Sequence, residues 1–104
     1  GGNILERYRV KLYPRAYRDI DEIYSYIAEN LLAPAAAQDL RECLEDAILS
    51  LEIFPERGAV RRIGRYAHCG YRQLLVKRYV LIYRILPEEK EVHIVTVRYT
   101  ASQF

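Results

Sequence analysis

Two periods of hydrophobic and polar positions divide the chain. In the first half, apolar residues recur every three or four positions; from Tyr71 onward they alternate with a period of two. A short opening stretch, Arg7 to Tyr13, also alternates, with Tyr8, Val10 and Leu12 opposing Arg9, Lys11 and Tyr13. It predicts a strand, ended by Pro14, which suits the first turn of a helix. The first helix is expected from Pro14 to Leu31, with Ala16, Ile20, Ile23, Tyr24, Ile27 and Leu31 on one stripe. Asp19, Asp21 and Glu22 fall in its N-terminal half, where negative charge suits the helix dipole. Asn30 to Pro34 breaks the pattern, because a residue before proline is biased away from helical angles. The second helix is expected from Pro34 to Phe54, with Ala37, Leu40, Leu44, Ala47, Ile48, Leu51 and Phe54 on its stripe. So short a connection makes the two helices an antiparallel hairpin.

Pro55-Glu56-Arg57-Gly58 is a stop signal, and the segment 59–70 that follows shows no convincing period. It predicts an exposed loop. The strands come next. Tyr71, Gln73 and Leu75 share one face and Arg72, Leu74 and Val76 the other. Lys77-Arg78 has no Gly, Asn or Asp, yet a break is needed there because an unbroken run to Leu86 is long for one strand. Tyr79 to Leu86 alternates again, Pro87 to Lys90 forms a turn, and Glu91 to Tyr99 completes a three-stranded antiparallel meander. The order is β-α-α-β-β-β. The fold class is α+β, with an antiparallel helical hairpin packed on one face of a mainly antiparallel sheet. Gly1-Gly2-Asn3 resembles a tag remnant, and residues 4–104 read as one domain.

Charge adds a second asymmetry. Residues 1–56 carry six basic and eleven acidic side chains, whereas residues 57–104 carry ten basic and three acidic. Between Arg57 and Arg84 there are eight Lys or Arg and no Asp or Glu. Such segregation predicts a face suited to a polyanion or an acidic protein segment, with Arg61, Arg62, Arg65, Arg72, Lys77 and Arg78 as its cations. A solvated basic surface is the alternative. No apolar run approaches the roughly 20 residues that span a bilayer, and no signal peptide is visible, so a cytoplasmic protein is expected without membrane association. Cys43 and Cys69 cannot build a disulfide framework and have no zinc spacing. His68-Cys69 lacks a third orienting group for nucleophilic chemistry. Neither a metal nor an organic cofactor is expected. With ten tyrosines, no single one is diagnostic, and Tyr24, Tyr26 and Tyr83 are expected to pack with their hydroxyls at the rim.

Three stretches together resemble the RelE/ParE toxin superfamily. PRAYRDIDEIYSYIAENLLAPAAAQDL is similar to its first helix and following turn, and AILSLEIFPERG to the end of its second helix. YRQLLVKRYVLIYRI with EVHIVTVRY is similar to its last three strands. The helix motifs, with the FPERG turn, resemble the ParE side most. The resemblance implies the toxin of a type II toxin–antitoxin pair, held in an oligomeric assembly by a small cognate antitoxin. Its target would be DNA gyrase for a ParE-like toxin, or ribosome-bound mRNA for a RelE-like nuclease.

RNA cleavage requires groups that move protons and stabilise a charged phosphate. RelE-like nucleases carry an arginine early in the strand that here begins at Tyr79, and a basic pair after the last strand. In this chain Val80, Ala101 and Ser102 stand at those places. Losing positioned cations from a phosphoryl-transfer site lowers rates by orders of magnitude. These departures favour a ParE-like inhibitor that acts by binding. The alternative is a metal-independent endoribonuclease using Arg72, Arg98 and Tyr99, with Arg65, Lys77 and His93 as further candidates. A third is an antitoxin-binding domain that has lost toxicity.

Overall fold

A computed structural model describes residues 7–102; the expected tag remnant at Gly1-Gly2-Asn3 lies outside them. Five strands and two α-helices follow the order β1 (Arg9–Leu12), α1 (Pro14–Ser25), α2 (Pro34–Ser50), β2 (Ala59–Val60), β3 (Tyr71–Val76), β4 (Tyr79–Leu86) and β5 (Glu91–Tyr99). The sheet order is β1-β5-β4-β3-β2. β1 runs parallel to β5, and every other pair is antiparallel. The α+β reading holds, with the helical hairpin on one sheet face. The segment expected to be wholly irregular contributes the two-residue edge strand β2, which pairs with Gln73 and Arg72. Two residues are too few to show alternation, so the sequence carries no signal for it.

Both helices stop short of their expected ends. α1 passes into a π turn at Tyr26–Asn30, where the Leu31 N–H reaches the Tyr26 carbonyl at 3.0 Å. Leu32 then takes a left-handed φ of 52°, and Pro34 opens α2. α2 ends at Ser50, whose hydroxyl donates back to the Ala47 carbonyl at 2.6 Å and accepts from Arg57 at 2.7 Å. The β3–β4 connection is the tight turn at Lys77-Arg78, achieved without glycine by placing Lys77 at φ 54°.

The core lies between the helices and the sheet. Leu40, Leu44 and Leu51 pack against Leu81, Tyr83, Val92 and Ile94, all 4 % exposed or less. A smaller apolar cluster occupies the opposite face, where Val80, Ile82 and Val95 meet Tyr66 and Tyr71. A β-bulge opposite Ile82 and Tyr83 lets Val95 point to that second face while Ile94 and Val97 stay in the first. Tyr83 does not put its hydroxyl at the rim. It is fully buried, donating to the Pro55 carbonyl at 2.7 Å and accepting from the Gly58 N–H at 2.9 Å. Burial pushes its phenol above the ordinary range. A Cβ at Gly58 would lie 2.5 Å from the Gln73 carbonyl oxygen, so only glycine fits beneath that ring. No helix among the described residues is long and apolar enough to cross a membrane.

Candidate functional site

A groove lies between the helical hairpin, at its π turn, and the end of the sheet. The cavity measures about 890 Å³. Ile23, Ile27 and Leu31 from the first helix and its π turn, with Leu40 from α2, make one apolar wall. Tyr79 of β4 and Val97 of β5 make the other. The rim is charged on both sides and with opposite sign: Asp19, Glu22 and Asp39 on the helices face Lys77 and Arg78 of the β3–β4 turn and Arg98 of β5. Tyr26, Leu31 and Tyr99 stand exposed at its mouth, at 52, 55 and 43 %. Aromatic and arginine side chains around an apolar floor are the composition of protein-binding hot spots.

Specific bonds hold the groove in shape. The Asp19 carboxylate accepts from the Thr96 hydroxyl and, at 3.1 Å, from the Val97 N–H, joining α1 to β5 where β1 no longer pairs. Arg98 Nε donates to the same Thr96 hydroxyl at 3.2 Å. The Arg78 carbonyl accepts from both the N–H and the hydroxyl of Thr100, each at 2.9 Å, which fastens the segment after β5 to the β3–β4 turn. Tyr79 and Tyr99 pack with ring centroids 5.6 Å apart. Burial, then the neighbouring Tyr99 and Tyr26 phenols, push the Tyr79 hydroxyl above its ordinary range and keep it a neutral donor.

Of the residues singled out from sequence, Lys77, Arg78, Arg98 and Tyr99 come together on this groove. The others do not form one cationic face with them. Arg72 lies on the helix-facing side of β3 and turns its guanidinium to the backbone, donating to the Gly58 carbonyl at 2.7 Å and the Glu56 carbonyl at 3.4 Å. It locks the Pro55–Gly58 turn beside Tyr83. Arg61 is 7 % exposed, with Nε on the Ile63 carbonyl and a terminal nitrogen on Gln73 Oε1 at 2.9 Å. It is a structural side chain and not an open cation. Arg62 and Arg65 are exposed in the loop before β3, off the groove. His93 lies on the other sheet face, bonded to Glu91 and Tyr13.

Sequence reasoning missed the groove's apolar walls, since Ile23, Ile27 and Leu31 read simply as core. The available signal was the helix break at Asn30 to Pro34, which leaves the end of that stripe without a partner. A second, smaller depression of about 590 Å³ lies where Val80, Ser102, Ile63 and Leu75 meet, next to Arg61 and Thr100.

No curated protein sequence matches the chain. Among solved structures it is similar to a chain of the chromosomal ParDE toxin–antitoxin system of P. aeruginosa. The TM-score there is 0.73 at 21 % identity, over 90 % of this chain and 97 % of that one. It is also similar to a chain of the RelBE2 toxin–antitoxin complex of Mycobacterium tuberculosis, at TM-score 0.65 and 25 % identity, over 95 % of this chain and 98 % of that one. The model for the ParE toxin of the type II parDE system matches residues 10–104. With that match running over nearly its whole length, and with the sheet and hairpin of these toxins, the chain belongs to the ParE toxin family.

Proposed function

We propose that the chain arrests growth by inhibiting DNA gyrase through binding, and that a small cognate antitoxin neutralises it in a larger assembly. One observation carries the choice of activity. The places where RelE-like nucleases hold arginines are occupied by Val80, 2 % exposed, by Ala101 and by Ser102. Val80 and Ser102 line one depression whose other walls include Ile63 and Leu75. Such a surface offers a phosphate no positioned cation, since the adjoining Arg61 is committed to Ile63 and Gln73. The groove supports the antitoxin reading. Its apolar floor and oppositely charged rims fit an amphipathic segment laid along it, with apolar side chains spaced to enter between Ile27 and Tyr79. A gyrase inhibitor works beside the chromosome, so a cytoplasmic site of action follows from the same proposal.

Induced expression in a bacterial host tests it. Double-strand breaks and SOS induction with intact mRNA are expected. Rapid mRNA cleavage at codon boundaries without DNA damage would instead identify a ribosome-dependent nuclease. Unimpaired growth would identify a domain that binds antitoxin and is no longer toxic.

A further inference from the structure

On the sheet face away from the helices, four polar or aromatic side chains stand in one cross-strand row. Tyr71 of β3 is registered with Arg84 of β4, Arg84 with His93 of β5, and His93 with Lys11 of β1. Alternation turns all four to this face, because their strand neighbours Tyr83, Ile85, Val92, Ile94, Val10 and Leu12 pack in the helix-side core. With strands about 4.8 Å apart, the row is about 14 Å long. Aromatic contacts extend it at both ends. Tyr66 meets Tyr71 edge-on at 5.1 Å, and Tyr13 meets His93 at 5.5 Å.

Two details separate this row from an ordinary solvated face. Arg84 Nε is buried without a hydrogen-bond partner, an arrangement that leaves a strong donor unsatisfied. At the β1 end, Glu91 draws Lys11 to 2.8 Å and Arg9 to 3.2 Å and contacts the His93 ring at 3.0 Å. Both cations keep most of their surface in solvent, Lys11 at 58 % and Arg9 at 76 % exposure, while Glu91 fixes their position. One carboxylate answers Lys11 and Arg9, and Arg84 adds a further positive charge, so the row stays cationic.

We infer that this row is a binding platform for single-stranded nucleic acid. Phosphodiester oxygens meet Arg84 and Lys11, and bases stack on Tyr71, beside a His93 ring that is 15 % exposed. Cations alternating with rings on an open sheet match what a single strand presents, a charged backbone with free base faces. A duplex hides those faces, and an acidic peptide would engage the cations and leave the rings unused. The platform is separate from the depression at Val80, since Arg84 lies four residues further along β4, about 13 Å away. It therefore stands independently of the gyrase reading: strand binding is measured on the purified chain, without gyrase.

The test is a fluorescence anisotropy titration of the purified chain with labelled oligo(dT), repeated over a salt series and beside a duplex of equal length. Oligo(dT) is expected to bind more tightly than the duplex. Arg84→Gln and Lys11→Gln should each weaken it about tenfold. Each should also reduce the slope of log K against log salt by about 0.7, the contribution of one phosphate contact on a single strand. Tyr71→Leu should weaken binding and leave the slope unchanged. Arg18→Gln, exposed on α1 across the molecule, should alter neither. Thermal melts establish that each variant is folded, and the exposed Lys11 keeps the test decisive if Arg84 proves necessary for folding. The inference is overturned by absence of oligo(dT) binding, by equal binding of the duplex, or by equal weakening in Arg18→Gln. Displacement by poly-glutamate as effective as by unlabelled oligo(dT) would also overturn it and assign the row to an acidic protein segment.

Discussion

The Tyr83 hydroxyl sits between a carbonyl and an N–H of the turn that follows α2, with no access to water. Tyr83→Phe strands both backbone groups in a buried site, and the expected loss is about 2 kcal/mol in urea denaturation, with the ring packing retained. A loss near zero would mean that the turn relaxes to find water. Glu91 makes a different demand. The Lys11 ammonium first, then the His93 ring, holds its carboxyl at about 2, against an ordinary 4.5. A carboxyl lowered by folding contributes its stabilisation above the ordinary value and loses it as pH falls towards the lowered one. Stability should therefore drop between about pH 4.5 and 2, and Glu91→Gln should flatten that part of an acid-denaturation profile. Arg72 shows what strand parity makes legible at this scale. It shares its strand face with Leu74 and Val76, both 8 % exposed, so its parity already pointed to the helix side and away from an open surface. Arg61 offered no comparable clue, because its burial depends on Gln73, a residue twelve positions away.

At the level of elements, the helical stripes and the meander were legible because each is long enough to show its period. The π turn and β2 were not, and at Lys77-Arg78 the break was legible but not the left-handed lysine that makes it. Each is set by a few backbone bonds that tertiary packing imposes, against local preference in the case of a lysine at φ 54°. The groove inherits that illegibility, since the π turn is what leaves Leu31 over it, 55 % exposed. A large apolar residue that exposed contributes little to folding, and Leu31→Glu should change stability by no more than about 0.5 kcal/mol. The same change places a carboxylate in the apolar wall. Under the proposed antitoxin reading, it should weaken antitoxin binding in calorimetry by about tenfold or more. Unchanged affinity would move the antitoxin to another surface.

For the molecule as a whole, β5 is the strand on which assembly depends. It lies between β1 and β4, receives α1 through Asp19, and carries Val97 and Tyr99 to the groove. β1, written first, has as its sheet neighbour only this strand, written last; Arg9 and Glu91 are separated by 82 positions. During synthesis at roughly 5–20 residues per second, the helical hairpin therefore emerges seconds before the strand that anchors it. A chain that stops anywhere before Glu91 lacks the strand with which β1 pairs and one wall of the groove. Under the proposed toxic activity, an incompletely translated chain is expected to be inactive through strand order alone.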